Sequence, residues 1–217
     1  MRYSAAIASC IIAITCSAQY SSKDLEGMKR MLDEAPLEGY VTKLNERYPG
    51  MATEIGKLPM QAISDPALKE ALRLDKEGTS GPYPSTDSSC ALVRLTGRGK
   101  DEWAKVNYIS LSKQSGTDEE LHARADSILQ AIHNGWTFRD AALKYSMDGN
   151  GKRGGDLGWF TRSMMVPEFS APVFEHHKGD LFTAAVGIYG WYVVEVTEEP
   201  GIYEQVEYIL GRGPICR

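Results

Sequence analysis

The residues from 147 to 160, MDGNGKRGGDLGWF, combine charged side chains with a flexible backbone. They hold five glycines, two aspartates, one lysine and one arginine. Such a loop suggests phosphate binding, but the Gly-x-x-x-x-Gly-Lys-Ser/Thr order is missing and no buried strand leads directly into it. The sequence therefore excludes a nucleotide-binding loop. Taken by itself, Asp148 in MDGNG is a good turn residue, and we expect Trp159 and Phe160 to secure the turn in the core.

The remaining residues capable of metal or redox chemistry are few. The chain has four histidines and four cysteines. The histidines show no ligand spacing to carboxylates or cysteines, and the cysteines form no Cys-x-x-Cys pair. We therefore predict no metal centre and no cofactor, with most histidines on the solvated surface. These are His122, His133, His176 and His177.

The first residues, MRYSAAIASCIIAITCSAQYSS, have the pattern of a secretory signal peptide. One positive charge at Arg2 precedes an apolar run from 5 to 15, and small residues end at Ala18. The run is shorter than the roughly 20 residues that a spanning helix needs. We predict export with cleavage after Ala18, leaving no membrane span. A lipid anchor at Cys16 is the minor alternative, because AIT before it lacks the usual lipoprotein pattern.

Charge and cysteine content describe the exported chain further. Without residues 1–18 it keeps 23 basic against 29 acidic side chains, so nucleic acid is not an expected partner. Only Cys90 and Cys216 remain, and an oxidising compartment allows these two to form one disulfide.

The N-terminal half is predicted to be mainly helical. Apolar residues at three- and four-residue steps indicate a helical region over 19–66, interrupted near Pro36, and DPALKEALRLDKEG indicates another helix. TSGPYPSTDSS, residues 79–89, is rich in turn formers. CALVRLTGR, which follows, is a short β-type run.

The segment 103–198 predicts an α+β domain. DEWAKVNYISLSKQ is a strand with mixed faces. A helix follows the capping box of Thr117 and Glu120, and a second helix begins at Thr137. After the glycine loop, Pro167 starts a short helix, and GWYVVEVTE is a closing strand.

Four ordered blocks in this segment resemble the parvulin family of peptidyl-prolyl cis-trans isomerases. They are G-x-x-F-x-x-x-A-x-x-Y-S-x-D at 135–148, GGDLGWF at 154–160, MVPEF at 165–169 and KGDLFTAAVGIYGWYVVEV at 178–196. The resemblance runs from Val106 to Val196. It implies a four-stranded antiparallel sheet covered by helices, and prolyl isomerase activity.

The resemblance also implies a site. Leu157, Met165 and Phe169 match the walls of the pocket that receives the substrate proline ring. Asp148 stands where the family has a catalytic Asp or Cys. Tyr108 and Tyr192 stand where it usually has histidines, since NYIS and GWYVV replace RHIL and GYHII.

Prolyl isomerisation is consistent with these residue types. Rotation about the X-Pro amide crosses about 18–20 kcal/mol because the C–N bond is partly double. No bond breaks, so a catalyst needs only to bind the twisted amide better than the planar one. In that scheme the apolar residues hold the ring, Asp148 disfavours charge on the carbonyl oxygen, and the tyrosine hydroxyls hold the geometry without titrating near neutral pH.

Structural interpretations of the same residues remain open. The three apolar residues are also what an ordinary core contains, and the two tyrosines are also what cross-strand packing contains.

Two flanking segments suggest an incomplete second copy of the same unit. Residues 67–95 resemble 168–196, and 203–213 resemble 103–113. The C-terminal segment could then dock against 90–96 in permuted order and bring Cys216 towards Cys90. The alternative is that 200–217 is a frayed tail.

The sequence as a whole predicts an exported, periplasmic isomerase and folding chaperone. Its partners would be unfolded or proline-containing polypeptides, with outer-membrane proteins among the candidates. The alternative is a binding module that keeps the groove but has lost turnover with its histidines. A subunit or fragment of a larger assembly is a third possibility, and the sequence does not determine the oligomeric state.

Overall fold

The computed structural model describes residues 22–34, 42, 46, 52–74, 78–84 and 90–213. The predicted signal peptide, Cys16 and Cys216 lie outside these residues. The helices are α1 (Ser22–Glu34), α2 (Pro66–Leu74), α3 (Asp118–His133), α4 (Phe138–Tyr145) and α5 (Pro167–Val173). The strands are β1 (Ala52–Pro59), β2 (Thr79–Pro84), β3 (Cys90–Ser112), β4 (Asp156–Thr161), β5 (Leu181–Val186) and β6 (Gly190–Gly213).

The chain divides into two compact units. The first takes the described parts of Met1–Ile55, Asp65–Leu95 and Ile209–Arg217, and the second takes Gly56–Ser64 and Thr96–Tyr208. Strands β1, β3 and β6 contribute residues to both units.

The first unit has a small core of helix and strand residues. Met28 and Leu32 lie four residues apart on α1 and are fully buried, as is the first part of β3. Strand β2 pairs antiparallel with that part of β3, with Thr79 opposite Arg94. The Thr79 amide donates to the Asp33 carboxylate, and Arg94 donates to the Leu32 carbonyl at the end of α1. These bonds satisfy backbone groups that would otherwise lack partners.

The second unit contains a four-stranded sheet in the order β5, β6, β3, β4. Strand β4 pairs antiparallel with β3, and β5 pairs antiparallel with β6. Asn107 donates to Glu195, and Thr197 donates to the Lys105 carbonyl. Since the order is reversed along the two strands, β3 and β6 are antiparallel as well. The predicted α+β class with a four-stranded antiparallel sheet is confirmed.

The two faces of this sheet carry separate cores, because successive strand side chains alternate between faces. Ala104 and Val106 of β3 face α5 and pack with Phe160 and Phe169. Ile109 and Leu111 face the other way and pack with α3 and α4. The sheet therefore separates the α5 side from the α3 and α4 side.

Local sequence signals placed three helices correctly. Thr117 and Glu120 form the reciprocal capping box before α3, and Thr137 accepts from the Asp140 amide before α4. Pro167 is the first residue of α5. Among the described residues, no helix is long and apolar enough to cross a membrane.

Two predictions for the N-terminal half are wrong in part. Residues 52–59, placed in a helical region, form β1, which lies beside β6. Gly56 allows this pairing, because a Cβ there would come within 2.3 Å of the Tyr208 ring. Residues 79–84, predicted as turns, form β2 beside β3. Both strands depend on distant partners that local periodicity does not report.

The run that begins at Cys90 and the strand predicted from 101 join into one strand, β3, instead of two separate runs. Residues 200–213 continue β6, which agrees with a C-terminal strand and not with the frayed-tail alternative. Trp159, predicted to lie in the core with Phe160, is only half-buried, because it points to the opposite face of the sheet from Phe160.

Candidate active site

Three aromatic rings meet on the α5 side of the second unit. Tyr108 comes from β3, Tyr192 from β6 and Phe169 from α5. The Tyr108 ring centroid is 5.5 Å from that of Tyr192 and 5.9 Å from that of Phe169, and Phe169 is 5.6 Å from Tyr192. All three pairs are edge-to-face, the arrangement that the ring quadrupoles favour. The cluster therefore holds both tyrosine rings in defined orientations.

Leu157 and Met165 pack against the same core. Leu157 lies on β4 and Met165 lies just before α5, and both side chains are half-buried. Phe169 is only 1% exposed. The structure thus brings the three predicted pocket residues into one cluster, with Phe169 forming its buried base.

Asp148 is held by three hydrogen bonds. The Tyr108 hydroxyl donates to Oδ2 at 2.7 Å, and the Ser146 hydroxyl donates to Oδ1 at 3.0 Å. The Asn150 backbone amide donates to Oδ1 at 3.1 Å, since Asp148 caps the short helical turn Gly149–Arg153. An exposed carboxylate is thereby fixed beside the aromatic cluster.

The glycine loop is anchored from inside by Asn150, which is 5% exposed. Its side-chain amide donates to the Gly155 carbonyl at 2.7 Å and its oxygen accepts two bonds from the Arg153 guanidinium. The same Gly155 carbonyl accepts from the Tyr108 amide at 2.8 Å. Gly155 has φ +88°, and a Cβ there would lie 2.8 Å from the Tyr108 carbonyl oxygen. The glycine therefore allows the loop to approach β3 closely enough to position Asp148.

The electrostatics of the site keep Tyr108 protonated. Burial, together with the hydrogen bond and negative charge of Asp148, raises the pKa of Tyr108 well above the ordinary tyrosine value. The hydroxyl therefore stays a neutral donor over the physiological pH range.

Sequence reasoning missed Ser146 and Asn150 as supports of Asp148, and Arg153 as a support of Asn150. The first two lie two residues before and two residues after the carboxylate, a spacing at which Asp, Asn and Ser side chains commonly bond to nearby backbone. The Ser146 hydroxyl also accepts from the Ser110 amide at 3.0 Å. That bond joins the loop to β3, and only the fold shows it.

The other titratable candidates lie outside this network. His122, His133 and His177 are exposed, as predicted for most histidines, and half-buried His176 stacks on Phe182 at 3.9 Å. In the described residues, no group of three or more His, Cys, Asp and Glu side chains gathers as a metal site would require.

Comparison with known proteins assigns part of the chain to a family. The family model described as the PPIC-type PPIASE domain matches residues 90–200. The chain belongs to this family. The match includes Asp148, the aromatic cluster and the whole glycine loop.

Individual relatives share parts of the chain. Chaperone SurA of Alkalilimnicola ehrlichii is 37% identical over 83 residues, which cover 38% of this chain and 19% of that protein. Foldase protein PrsA of Oceanobacillus iheyensis is 26% identical over 184 residues, covering 69% of this chain and 60% of that protein. A crystallised PpiC-type peptidyl-prolyl cis-trans isomerase domain is 23% identical, with a TM-score of 0.42, over 46% of this chain and 94% of that domain. The chain spans less than two thirds of the length of either curated relative.

Proposed function

We propose that this protein is an exported peptidyl-prolyl cis-trans isomerase that binds unfolded or proline-containing polypeptides as a folding chaperone. The observation that carries the proposal is the Asp148 carboxylate held by Tyr108 at the edge of the cluster containing Phe169. Family membership supports the same activity.

The proposed mechanism needs only binding and electrostatics. The proline ring would occupy the half-buried apolar surface of Leu157 and Met165, with Phe169 as the buried base beneath them, and this packing excludes water from the amide. Amide resonance places negative charge on the carbonyl oxygen, so the Asp148 carboxylate near that oxygen would weaken the partial double bond. Because Tyr108, Ser146 and the Asn150 amide already hold the carboxylate, little reorganisation would accompany the rotation.

Export and client binding are further parts of the proposal. The predicted signal peptide and the disulfide-bonded state of Cys90 support an oxidising compartment, which we propose to be the periplasm. Met147 and Met164 are 41% and 53% exposed, next to Asp148 and Met165 respectively. Exposed methionines suit varied apolar client segments, and outer-membrane proteins are candidate clients.

A proline-limited refolding assay tests the activity. Catalytic amounts of wild-type protein should accelerate refolding, and Asp148→Ala and Met165→Ala should reduce the acceleration by about tenfold or more. Glu175→Ala, which changes an exposed side chain just after α5, is the control and should refold the client as wild type does. Absence of acceleration at stoichiometric wild-type protein would contradict the proposed enzyme.

A binding module without turnover is the second candidate, favoured by tyrosines at both family histidine positions. It predicts suppression of client aggregation that survives Asp148→Ala. Refolding acceleration and aggregation measured on the same variants separate the two functions.

A further inference from the structure

A cavity of about 420 Å³ lies within the second unit, away from Asp148. Its walls include Lys105 of β3, Trp159 of β4, Glu198 and Tyr203 of β6, and Gln61 and Ser64. This volume lies in the range of small-ligand and side-chain pockets.

The cavity lies on the reverse face of the sheet from the candidate active site. Lys105 is directly opposite Trp159, while the neighbouring Ala104 is opposite Phe160. Ala104 and Phe160 are in the core with Phe169. Because alternate residues face opposite sides, Lys105 and Trp159 point away from that core.

Two rings form an apolar corner in the cavity. Trp159 and Tyr203 are both half-buried, with centroids 5.2 Å apart and planes at 76°. Aromatic walls of this kind bind the flat side of a proline ring or another apolar ring. Tyr203, Gln61 and Ser64 lie outside residues 90–200, the part that matches the family model. The cavity therefore includes wall residues from outside the part of the chain that matches the family model.

One basic and one acidic side chain line the cavity, Lys105 and Glu198, and they differ in their partners. Glu198 accepts from Lys178 at 2.7 Å, so the carboxylate already has a cationic partner. The Lys105 ammonium has no hydrogen-bond or ion-pair partner among the residues that the structure describes, and the Trp159 indole N–H likewise has none. An unpaired cation and a free donor beside two rings suit a carboxylate next to an apolar ring.

We propose that this cavity is a second client-binding subsite, which takes a Glu or Asp side chain adjacent to a proline in an extended polypeptide. The proposal rests on the proposed function only in assuming that the ligand is a polypeptide. Gln61 and Ser64, whose side chains are also unpaired in the described part of the chain, supply hydrogen bonds to the peptide backbone. A client held here and at Asp148 would contact both faces of one sheet.

Titration of the full ¹⁵N-labelled chain with two blocked peptides tests the subsite. The peptides are acetyl-Ala-Pro-Glu-Ala-amide and its Gln counterpart, and the reporter is the Trp159 indole signal, assigned with Trp159→Phe. We expect the Trp159 signal to move saturably with the Glu peptide and about tenfold weaker binding of the Gln peptide. Added salt should weaken binding of the Glu peptide more than binding of the Gln peptide.

Lys105→Gln is the decisive variant. It should bind both peptides equally, at the affinity that wild type shows for the Gln peptide, because the two changes remove the same interaction. Lys69→Gln, an equal loss of charge on α2 in the first unit, should keep the wild-type preference.

Three outcomes would overturn the subsite. These are a Trp159 signal that stays still while signals near Asp148 move, equal affinity of wild type for both peptides, and a preference that survives Lys105→Gln. The titration does not require turnover. A protein without isomerase activity that still shows the Glu preference would contradict the proposed enzyme and leave the subsite standing.

Discussion

The hydroxyl of Tyr108 donates to the carboxylate of Asp148, with 2.7 Å between Oη and Oδ2. Hydrogen bonds to charged groups contribute about 1.5–3 kcal/mol. Tyr108→Phe keeps the ring and removes the donor, so kcat/KM for a proline peptide should fall about 10- to 100-fold. Tyr192→Phe should lower kcat/KM by a smaller factor, because the Tyr192 hydroxyl has no partner among the described residues. Equal losses in the two variants would contradict an orienting role for Tyr108.

Activity should be nearly independent of pH around neutrality. Burial and Asp148 raise the pKa of Tyr108, so its hydroxyl remains protonated. A histidine in its place would change charge near pH 6.5. We expect kcat/KM of wild type to vary by less than about twofold between about pH 6 and 8, and Tyr108→His to show a step in that range. A step of the same size in wild type would contradict the assignment.

Replacing two glycines of the same loop with alanine should change the free energy of unfolding by very different amounts. Gly155→Ala places a Cβ 2.8 Å from the Tyr108 carbonyl at φ +88°, whereas Gly149 has no atom within 4 Å of the corresponding position. The left-handed conformation alone costs an alanine about 1–2 kcal/mol. Urea unfolding should show a lower free energy for Gly155→Ala and little change for Gly149→Ala. Equal stabilities would show that the loop does not require the close approach.

The first unit should lose stability in acid through Asp65. Burial alone would raise the pKa of Asp65, but bonds from Arg212 and the Leu68 amide lower it below the ordinary aspartate value. A depressed folded-state pKa gives stability that is present above the unfolded pKa of about 3.9 and is lost as pH falls through the folded value.

Asp65→Asn should therefore lower the unfolding free energy at pH 7, with the difference from wild type shrinking below about pH 4. Urea unfolding of both proteins at pH values from about 7 to 3 measures this difference in free energy. Glu175→Gln, which changes an exposed side chain just after α5, is the control, and a difference that grows in acid would contradict the linkage.

The disulfide of Cys90 should contribute to folding. Cys90 is buried and disulfide-bonded, and removing a native disulfide typically costs about 2–5 kcal/mol. We propose Cys216 as the partner, with residues 203–213 completing the N-terminal half-unit. The grouping of Ile209–Gly213 with Asp65–Leu95 supports this. Peptide mapping of the exported protein should find the Cys90–Cys216 link, and two free thiols would contradict it. Cys90→Ser should lower the unfolding free energy.

Local sequence signals were sufficient where both partners of a hydrogen bond lie within one short segment. Thr117 and Glu120 cap α3 within one turn, and Asp148 bonds the amide two residues later. They were insufficient where the partner is distant. Residues 52–59 form a strand because they pair with β6, where Gly56 lies beside Tyr208. Trp159 lies outside the core of Phe160 because it and its strand partner Lys105 point to the opposite face of the sheet.

The sequence by itself determined the family, the helices at Thr117, Thr137 and Pro167, and the residues from which a prolyl site would be built. These depend on cap chemistry, glycine positions and apolar spacing, which act over a few residues. Only the tertiary structure decided that Tyr108 donates to Asp148, that Ser146 and Asn150 support it, and that Lys105 and Trp159 share a cavity with Tyr203. Those relations join strands and loops far apart in the chain, and strand register and side-chain alternation, which set them, exist only once the strands have paired.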